Sequence, residues 1–218
     1  MSNKKHRIAV FGGTFNPPHQ GHSLLAQQII KHNFADQILF IPALRPPHKP
    51  GTPSVAFDDR FAMTSLVVDS LNQDAGKEVY VVSDIEGKGG DKPSYTYNTM
   101  VELSHLYPDD ELFLLIGGDS LLNLHTWYNA EKLVENWKIL TYPRNQVFDS
   151  PEEILKELRK KWSEKIASSL FQSILTFKMC DISSTKIREE LNSNGDTVYS
   201  LNPSVYKYIQ EQGLYKNE

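Results

Sequence analysis

Short apolar runs alternate along this chain with longer stretches in which apolar residues recur at helical spacing. The apolar runs are RIAVF at 7–11, QILFIP at 37–42, EVYVVSDI at 78–85, ELFLLIGG at 111–118 and WKILTYP at 137–143. Helical spacing is clearest at His22–His32, Arg60–Leu71 and Ser94–Leu106. Buried strands that alternate with helices are typical of β-α-β units. The pattern therefore predicts an α/β fold with a mostly parallel sheet.

Three later or irregular segments complete this picture. Ser150–Leu170 has the pattern of one charged amphipathic helix packed on the domain. The end of the chain, NPSVYKYIQEQGLY at 202–215, predicts a closing helix with Pro203 near its start. Pro42–Ser54 contains five prolines, which predicts a long loop. Long loops inside compact domains are often functional.

Composition and charge narrow the class of protein. Lys plus Arg number 23 and Asp plus Glu 27, a net charge of −4, so the basic excess of a general nucleic-acid binder is missing. Cys180 is the single cysteine, which rules out an internal disulfide and fits a reducing compartment. No apolar run is long enough for a signal peptide or for a membrane helix of about 20 residues. We expect a cytoplasmic protein without nucleic-acid or membrane partners.

The segment GGTFNPPHQGH at Gly12–His22 follows the first predicted strand directly. In open parallel sheets, ligands bind beyond the carboxyl ends of the strands. The two glycines allow a ligand to approach the backbone, and the N-terminus of the next helix favours an anion. His19 and His22 lie three residues apart, so both imidazoles can face one phosphate. The segment therefore predicts a phosphate site.

Two other interpretations of Gly12–His22 are open from the residues alone. The segment can be a tight turn that carries solvent-exposed histidines, although the preceding strand and Thr14 favour function. His19 and His22 can also ligate zinc, but no third ligand accompanies them and Cys180 is far along the chain. A phosphate site is the stronger hypothesis.

Gly12–His22 closely resembles the HxGH signature of the nucleotidyltransferase superfamily. ISSTKIR at Ile182–Arg188 resembles the second signature of that superfamily, in the expected order. Further segments are similar to those of the bacterial nicotinate-nucleotide adenylyltransferases: PPHK at 46–49, KPSYTYNTM at 92–100, IGGDSLLNLHTWY at 116–128 and VYKYIQEQGLY at 205–215. The similarity covers nearly the whole chain and is weakest at 147–176.

This resemblance implies a Rossmann-like, doubly wound α/β domain of the nucleotidyltransferase type, with helices on both faces of the sheet. It implies one domain over residues 1–218, with a charged helical insertion around 150–170 and a helical C-terminal part at 184–218. The implied reaction joins nicotinate mononucleotide to the AMP of ATP, giving deamido-NAD and pyrophosphate. The implied metal is Mg²⁺, held mainly by the ATP phosphates, with no protein ligand. The resemblance leaves open whether the protein forms a homodimer.

The resemblance also assigns roles to residues of this chain. The catalytic set is His19, His22 and Arg188. The ATP-binding set is Gly12, Gly13, Thr14, Gly117, Asp119, Ser183 and Ser184. The set that binds nicotinate mononucleotide is Phe11, Asn16, Lys49, Tyr95, Thr96, Trp127 and Tyr128.

Each of these roles has a plainer alternative. Asp119 can cap a helix, Trp127 can pack in the core, Lys49 can be a solvated loop lysine, and ISSTKIR can be an ordinary capped helix. Other acceptors are nicotinamide mononucleotide and phosphopantetheine. Two further hypotheses are a non-catalytic nucleotide-binding module, against which His22 and Arg188 argue, and an RNA-binding module, against which the acidic balance argues.

Overall fold

The computed structural model describes residues 5–45, 55–88, 90, 93–143, 150–177, 182–193 and 199–216. The strands are β1 (Arg7–Gly13), β2 (Gln37–Pro42), β3 (Tyr80–Val82), β4 (Glu111–Gly117) and β5 (Lys138–Tyr142). The helices before β5 are α1 (Gln20–Lys31), α2 (Phe57–Ala75), α3 (Thr96–Leu106), α4 (Gly118–Asn123) and α5 (Ala130–Asn136). The helices after β5 are α6 (Pro151–Arg159), α7 (Glu164–Gln172), α8 (Ser184–Asn192) and α9 (Pro203–Gln212).

The five strands form one parallel sheet in the order β3-β2-β1-β4-β5. β1 lies at the centre, where Phe11 pairs with Phe40 of β2 and with Leu115 of β4. The strand order reverses at β1, which is the topological switch point where α/β sheets bind ligands. The predicted parallel α/β sheet is confirmed.

Both faces of the sheet are covered by helices. Side chains alternate along β1, so Ala9 and Phe11 join one core cluster while Ile8 and Val10 join the other. The first cluster includes apolar residues of α1, α2, α8 and α9, and the second includes those of α3, α4, α5, α6 and α7. The doubly wound, Rossmann-like fold class is therefore confirmed. Across the described ranges, no helix combines the length and apolar character needed to cross a membrane.

The prediction of one helix over Ser150–Leu170 is wrong, because the segment forms two helices. α6 ends at Arg159, and Ser163 begins α7 as its N-cap, with its side chain accepting a hydrogen bond from the Ile166 backbone N–H. Trp162, in the connection between them, is buried in the second cluster. Burying this large ring turns the chain, and the Ser163 cap starts the next helix. Both helices are amphipathic and pack on the sheet.

The C-terminal part begins and ends with the helices expected there. Ser183 is the N-cap residue of α8, so ISSTKIR opens a helix. α9 begins at Pro203, and the Asn202 side chain accepts a hydrogen bond from the Ser204 backbone N–H at 2.9 Å. Both helices pack on the same face of the sheet as α1. The late motif is thereby brought beside the loop that follows β1.

Candidate active site

A cavity of about 310 Å³ lies at the carboxyl ends of β1, β2, β4 and β5. This volume is at the lower end of the range for small-molecule sites, which begins at about 300 Å³. Twelve residues of the resemblance-based sets line it: Phe11, Gly12, Gly13, Thr14, His19, His22, Tyr95, Thr96, Asp119, Trp127, Tyr128 and Ser184. The fold therefore brings together segments that are far apart in sequence.

His19 and His22 form one unit at the start of α1. His19 is the N-cap residue, and its ring stacks on that of His22 at a centroid distance of 3.7 Å and an interplanar angle of 28°. The His19 backbone N–H donates to His22 Nδ1 at 3.1 Å. Because Nδ1 accepts this bond, the ring hydrogen of neutral His22 belongs on Nε2. Nε2–H is therefore the hydrogen-bond donor of the neutral His22 ring.

The two glycines after Phe11 meet different surroundings. A Cβ at Gly12 would have no atom of another residue within 4 Å, so this stretch of backbone is open to the cavity. A Cβ at Gly13 would lie 2.9 Å from Cζ of Phe15, whose ring is buried against Phe11 and Phe40. Gly12 therefore has open space beside it, whereas Gly13 makes room for an aromatic ring.

The late motif holds the loop after β1. Arg188 donates from Nη1 to the Asn16 carbonyl at 2.8 Å and from Nη2 to Oγ1 of Thr185 at 3.3 Å. Ser184 donates to the Pro17 carbonyl at 3.0 Å. Asn16 itself is buried, and its Oδ1 accepts from the Tyr215 hydroxyl at 2.7 Å. The start of α8 and the end of the chain thus converge on one short loop.

Four residues of the resemblance-based sets do not line the cavity: Asn16, Gly117, Ser183 and Arg188. Gly117 is the N-cap residue of α4, so Asp119 lies in the first turn of that helix rather than at the cap. Lys49 lies outside the described residues. Their binding and catalytic roles stay predictions.

Aromatic and hydroxyl groups form the other side of the cavity. The rings of Tyr95 and Tyr128 stack at 4.7 Å with an interplanar angle of 27°. Thr96 is the first residue of α3, and Trp127 follows the 3-10 turn at Leu124–Thr126. Part of the Trp127 side chain packs on the second core cluster, so its packing and cavity-lining roles coexist.

Sequence reasoning missed several residues of this region. Phe15, Glu86 and Tyr142 line the cavity, and Arg60 lies buried behind its wall. Glu86 and Tyr142 stand at or just beyond strand ends, a position that sequence reasoning could have used. Nothing in the sequence around Arg60 separates it from a solvated helix arginine.

The pKa values of the buried Arg60 and the partly buried Glu86 are both shifted. Burial lowers the pKa of Arg60, although the charge of Glu86 partly opposes this. Burial raises the pKa of Glu86, against hydrogen bonds from Ser94, Thr99 and the Leu44 backbone and against the charge of Arg60, which lower it. Perturbed groups of this kind collect at functional sites, although structural networks produce them too.

A protein metal site needs several donor side chains grouped around one point. Within these ranges, no group of three or more His, Cys, Asp or Glu side chains is placed to hold a metal ion. The two stacked histidines therefore have no described third ligand, and their geometry fits anion binding better than zinc binding.

The fold and the site together define the class of protein. A parallel sheet with paired histidines after its central strand is the arrangement of a nucleotidyltransferase, and the family model described as cytidylyltransferase-like matches residues 10–190. A solved Plasmodium falciparum nicotinic acid mononucleotide adenylyltransferase, complexed with NaAD, has the same fold at a TM-score of 0.74. It is 20% identical and the match covers 96% of this chain and 97% of that one.

Curated relatives give the particular family. The chain is 30% identical over 210 residues to a protein of Caldicellulosiruptor bescii, covering 96% of this chain and 99% of the relative. It is 34% identical over 212 residues to one of Synechococcus sp. (strain JA-3-3Ab), covering 97% and 96%. Both are named "Probable nicotinate-nucleotide adenylyltransferase". The chain belongs to the nicotinate-nucleotide adenylyltransferase family.

Proposed function

We propose that this chain transfers the adenylyl group of ATP to nicotinate mononucleotide, giving deamido-NAD and pyrophosphate. The observation that carries the proposal is the shared cavity, which joins the paired histidines to the Tyr95–Thr96 and Trp127–Tyr128 segments. One side suits phosphates and the other suits a flat ring with a polar substituent. The names of the relatives and the NaAD bound to the Plasmodium falciparum enzyme support the same reaction.

The proposed chemistry is one in-line displacement. An oxygen of the mononucleotide 5′-phosphate attacks the α-phosphorus of ATP and forms the new P–O bond. The bond from that phosphorus to the bridging oxygen of the β-phosphate breaks, and the electron pair leaves with pyrophosphate. Such a step needs no covalent enzyme intermediate, so positioning and stabilisation of charge supply the catalysis.

His19 and His22 carry the phosphate side of the proposal. His22 Nε2–H donates to the oxygens around the α-phosphorus, where negative charge redistributes in the transition state. The His22 ring is held in place by stacking against the His19 ring and by the hydrogen bond from the His19 backbone N–H. The N-terminus of α1 adds its positive dipole end at the same place. The backbone at Gly12–Thr14 completes the cradle.

The late motif and the start of α4 hold the rest of ATP in this proposal. Arg188 offers a planar fork for phosphate oxygens beside its bond to the Asn16 carbonyl. Ser183 and Ser184 stand at the N-terminus of α8, where backbone N–H groups favour an anion. Asp119 accepts hydrogen bonds from ribose hydroxyls, and Gly117 leaves room beside it.

The aromatic side of the cavity binds the mononucleotide in this proposal. Trp127 stacks on the pyridine ring, while the Thr96 hydroxyl and the Tyr128 backbone N–H donate to the nicotinate carboxylate. Tyr95 supports Tyr128 through the ring stack. Asn16 and Phe11 contribute by shaping the loop after β1, which Asn16 anchors. Lys49 contacts the mononucleotide phosphate.

ATP enters the proposed reaction as its magnesium complex. The triphosphate oxygens and water hold Mg²⁺, a hard cation that keeps much of its hydration shell. When bound, the ion would supply positive charge beside the phosphates. This chain binds the complex through histidine, arginine and backbone donors, which contact phosphate oxygens rather than the ion.

Location and partners follow from the proposed reaction. Because the reaction consumes ATP and the chain has one cysteine, we propose a cytoplasmic location without nucleic-acid or membrane partners. Cell fractionation and RNA-column retention at physiological salt test this. Recovery in the membrane fraction or retention on RNA would contradict it.

Pyrophosphate release from ATP and Mg²⁺ tests the function directly. Purified protein is assayed with nicotinate mononucleotide, nicotinamide mononucleotide and phosphopantetheine as separate acceptors. We expect a strong preference for the nicotinate compound, because the Thr96 and Tyr128 donors favour a carboxylate. Equal use of the amide would remove this selectivity, and faster turnover of phosphopantetheine would replace the proposed acceptor. Release with none of the three would favour a nucleotide-binding module.

A further inference from the structure

Glu86 is a partly buried acid that the proposed reaction does not use. It follows β3 and lines the cavity on the same side as Tyr95 and Thr96. A buried carboxyl group lowers stability unless hydrogen bonds or an opposite charge compensate it. The contacts of Glu86 therefore indicate what it does.

Its strongest contact is with α3. The Thr99 hydroxyl donates to Glu86 Oε1 at 2.7 Å, and Thr99 is buried. Thr99 lies one turn after Tyr95 and Thr96, so its position fixes how the first turn of α3 meets the cavity. The Thr96 hydroxyl is the group proposed to select the carboxylate of the acceptor.

The loop after β2 joins the same assembly. Arg45 and Ser94 are connected twice: the Ser94 backbone N–H donates to the Arg45 carbonyl at 3.1 Å, and the Arg45 backbone N–H donates to the Ser94 hydroxyl at 3.1 Å. Ser94 and Glu86 both line the cavity. The junction between the start of α3 and the loop after β2 thus lies on the same cavity wall as Glu86.

Arg60 supports that loop from the other side. It donates to the Thr14 carbonyl at 2.7 Å, to the Val55 carbonyl at 3.0 Å and to the Leu44 carbonyl at 3.4 Å. Arg60 therefore links the loops after β1 and β2 through their carbonyl oxygens. Its charge and that of the partly buried Glu86 attract each other, which connects the loop after β3 to the same wall.

We propose that Glu86 is a positioning residue for the acceptor side of the cavity, holding Tyr95 and Thr96 in place through Thr99. This inference rests on the proposed function for its substrate. It predicts that Glu86 sets the affinity for the mononucleotide and has little effect on ATP, whose proposed contacts lie on β1, α1, α4 and α8.

Steady-state kinetics of Glu86→Ala and Glu86→Gln test this. Glu86→Ala should raise KM for nicotinate mononucleotide about tenfold, the effect of one lost hydrogen bond, and leave KM for ATP nearly unchanged. Glu86→Gln keeps an oxygen for Thr99 and should show a smaller rise. Equal increases in both KM values, or no increase with Glu86→Ala, would overturn the proposal.

Asn72→Ala is the matched control. Asn72 ties α2 to the opposite end of the same strand, accepting from the Val79 and Tyr80 backbone N–H groups at 3.0 Å each. Its loss should lower stability but leave both KM values unchanged. If Asn72→Ala raised the mononucleotide KM as Glu86→Ala does, the effect would be general loosening and the proposal would fail.

Amide hydrogen exchange gives a readout that needs no substrate. Glu86→Ala should lose protection in the peptide spanning Ser94–Met100 and keep it in α1. Unchanged protection there would contradict the positioning role even if the wild-type protein accepts nicotinate mononucleotide. If the wild-type protein does not use nicotinate mononucleotide but Glu86→Ala still exchanges faster in this peptide, the positioning role is supported and the proposed function fails.

Discussion

The hydroxyl of Tyr215 donates to Oδ1 of Asn16 at 2.7 Å, joining two residues that are 199 positions apart. Both side chains are buried. The backbone carbonyl oxygen of Asn16 also accepts a hydrogen bond from Arg188. The end of the chain therefore helps to shape the loop that separates the glycines from the histidines.

Replacement of Tyr215 tests this connection. Tyr215→Phe should lower the free energy of unfolding by about 1–2 kcal/mol, because the buried Asn16 oxygen loses its donor. Urea unfolding measures the change. Tyr199→Phe is the control, since Tyr199 is 85% exposed, and it should have no effect. Equal stability of Tyr215→Phe and wild type would contradict the connection.

His22 should matter for turnover more than for binding. His22→Ala should lower the rate of pyrophosphate release about 10²–10³-fold, the loss expected for one donor to a developing charge. ATP affinity, measured by calorimetry, should change far less. His32→Ala, at the exposed end of the same helix, should leave both unchanged. Turnover near the wild-type rate in His22→Ala would remove His22 from the catalytic role.

Adjacent glycines should respond in opposite ways to the same change. Gly13→Ala should destabilise the protein by about 1–3 kcal/mol, because the new methyl group would overlap the buried Phe15 ring. Gly12→Ala has no such neighbour and should keep its stability, while the methyl group obstructs the ligand's approach and reduces turnover. Urea unfolding and pyrophosphate release measure the two effects. Equal loss of stability in both variants would contradict this assignment.

The titration of Glu86 should give stability a definite pH dependence. Burial raises the pKa of Glu86 above its ordinary value of 4.5, so the folded protein binds the proton more tightly than the unfolded chain. The resulting stability is present below the ordinary value and is lost as pH rises through the raised value. Glu86→Gln lacks this loss, so its stability relative to wild type should increase as pH rises above the ordinary value of 4.5.

Urea unfolding at several pH values measures this trend. Glu157→Gln is the control of opposite sign, because the hydrogen bond from Lys160 lowers the pKa of the exposed Glu157. Its stability relative to wild type should fall, slightly, as pH rises. A constant difference between Glu86→Gln and wild type across the range would contradict the raised pKa.

Local sequence patterns were sufficient to predict most strands and helices and most of the residues that line the cavity. Apolar runs of strand length predicted the parallel sheet, because such strands are buried on both faces. The motif at Gly12–His22 follows β1, and the segments with Thr96, Asp119 and Trp127 lie near other strand ends. Since the carboxyl ends of parallel strands meet at one edge, position along the sequence was enough to bring these residues into one cavity.

Tertiary packing decided what the pattern left open. Trp162 is buried and breaks the charged segment into two helices, although helical periodicity continues through it. Asn16 is turned away from the cavity because Tyr215 offers it a donor. Arg60 is buried because the loops after β1 and β2 supply its partners, and Glu86 is partly buried with a partner on α3. Sequence determined which residues stand at the strand ends, whereas long-range contacts determined which of them face the ligand and which hold the wall.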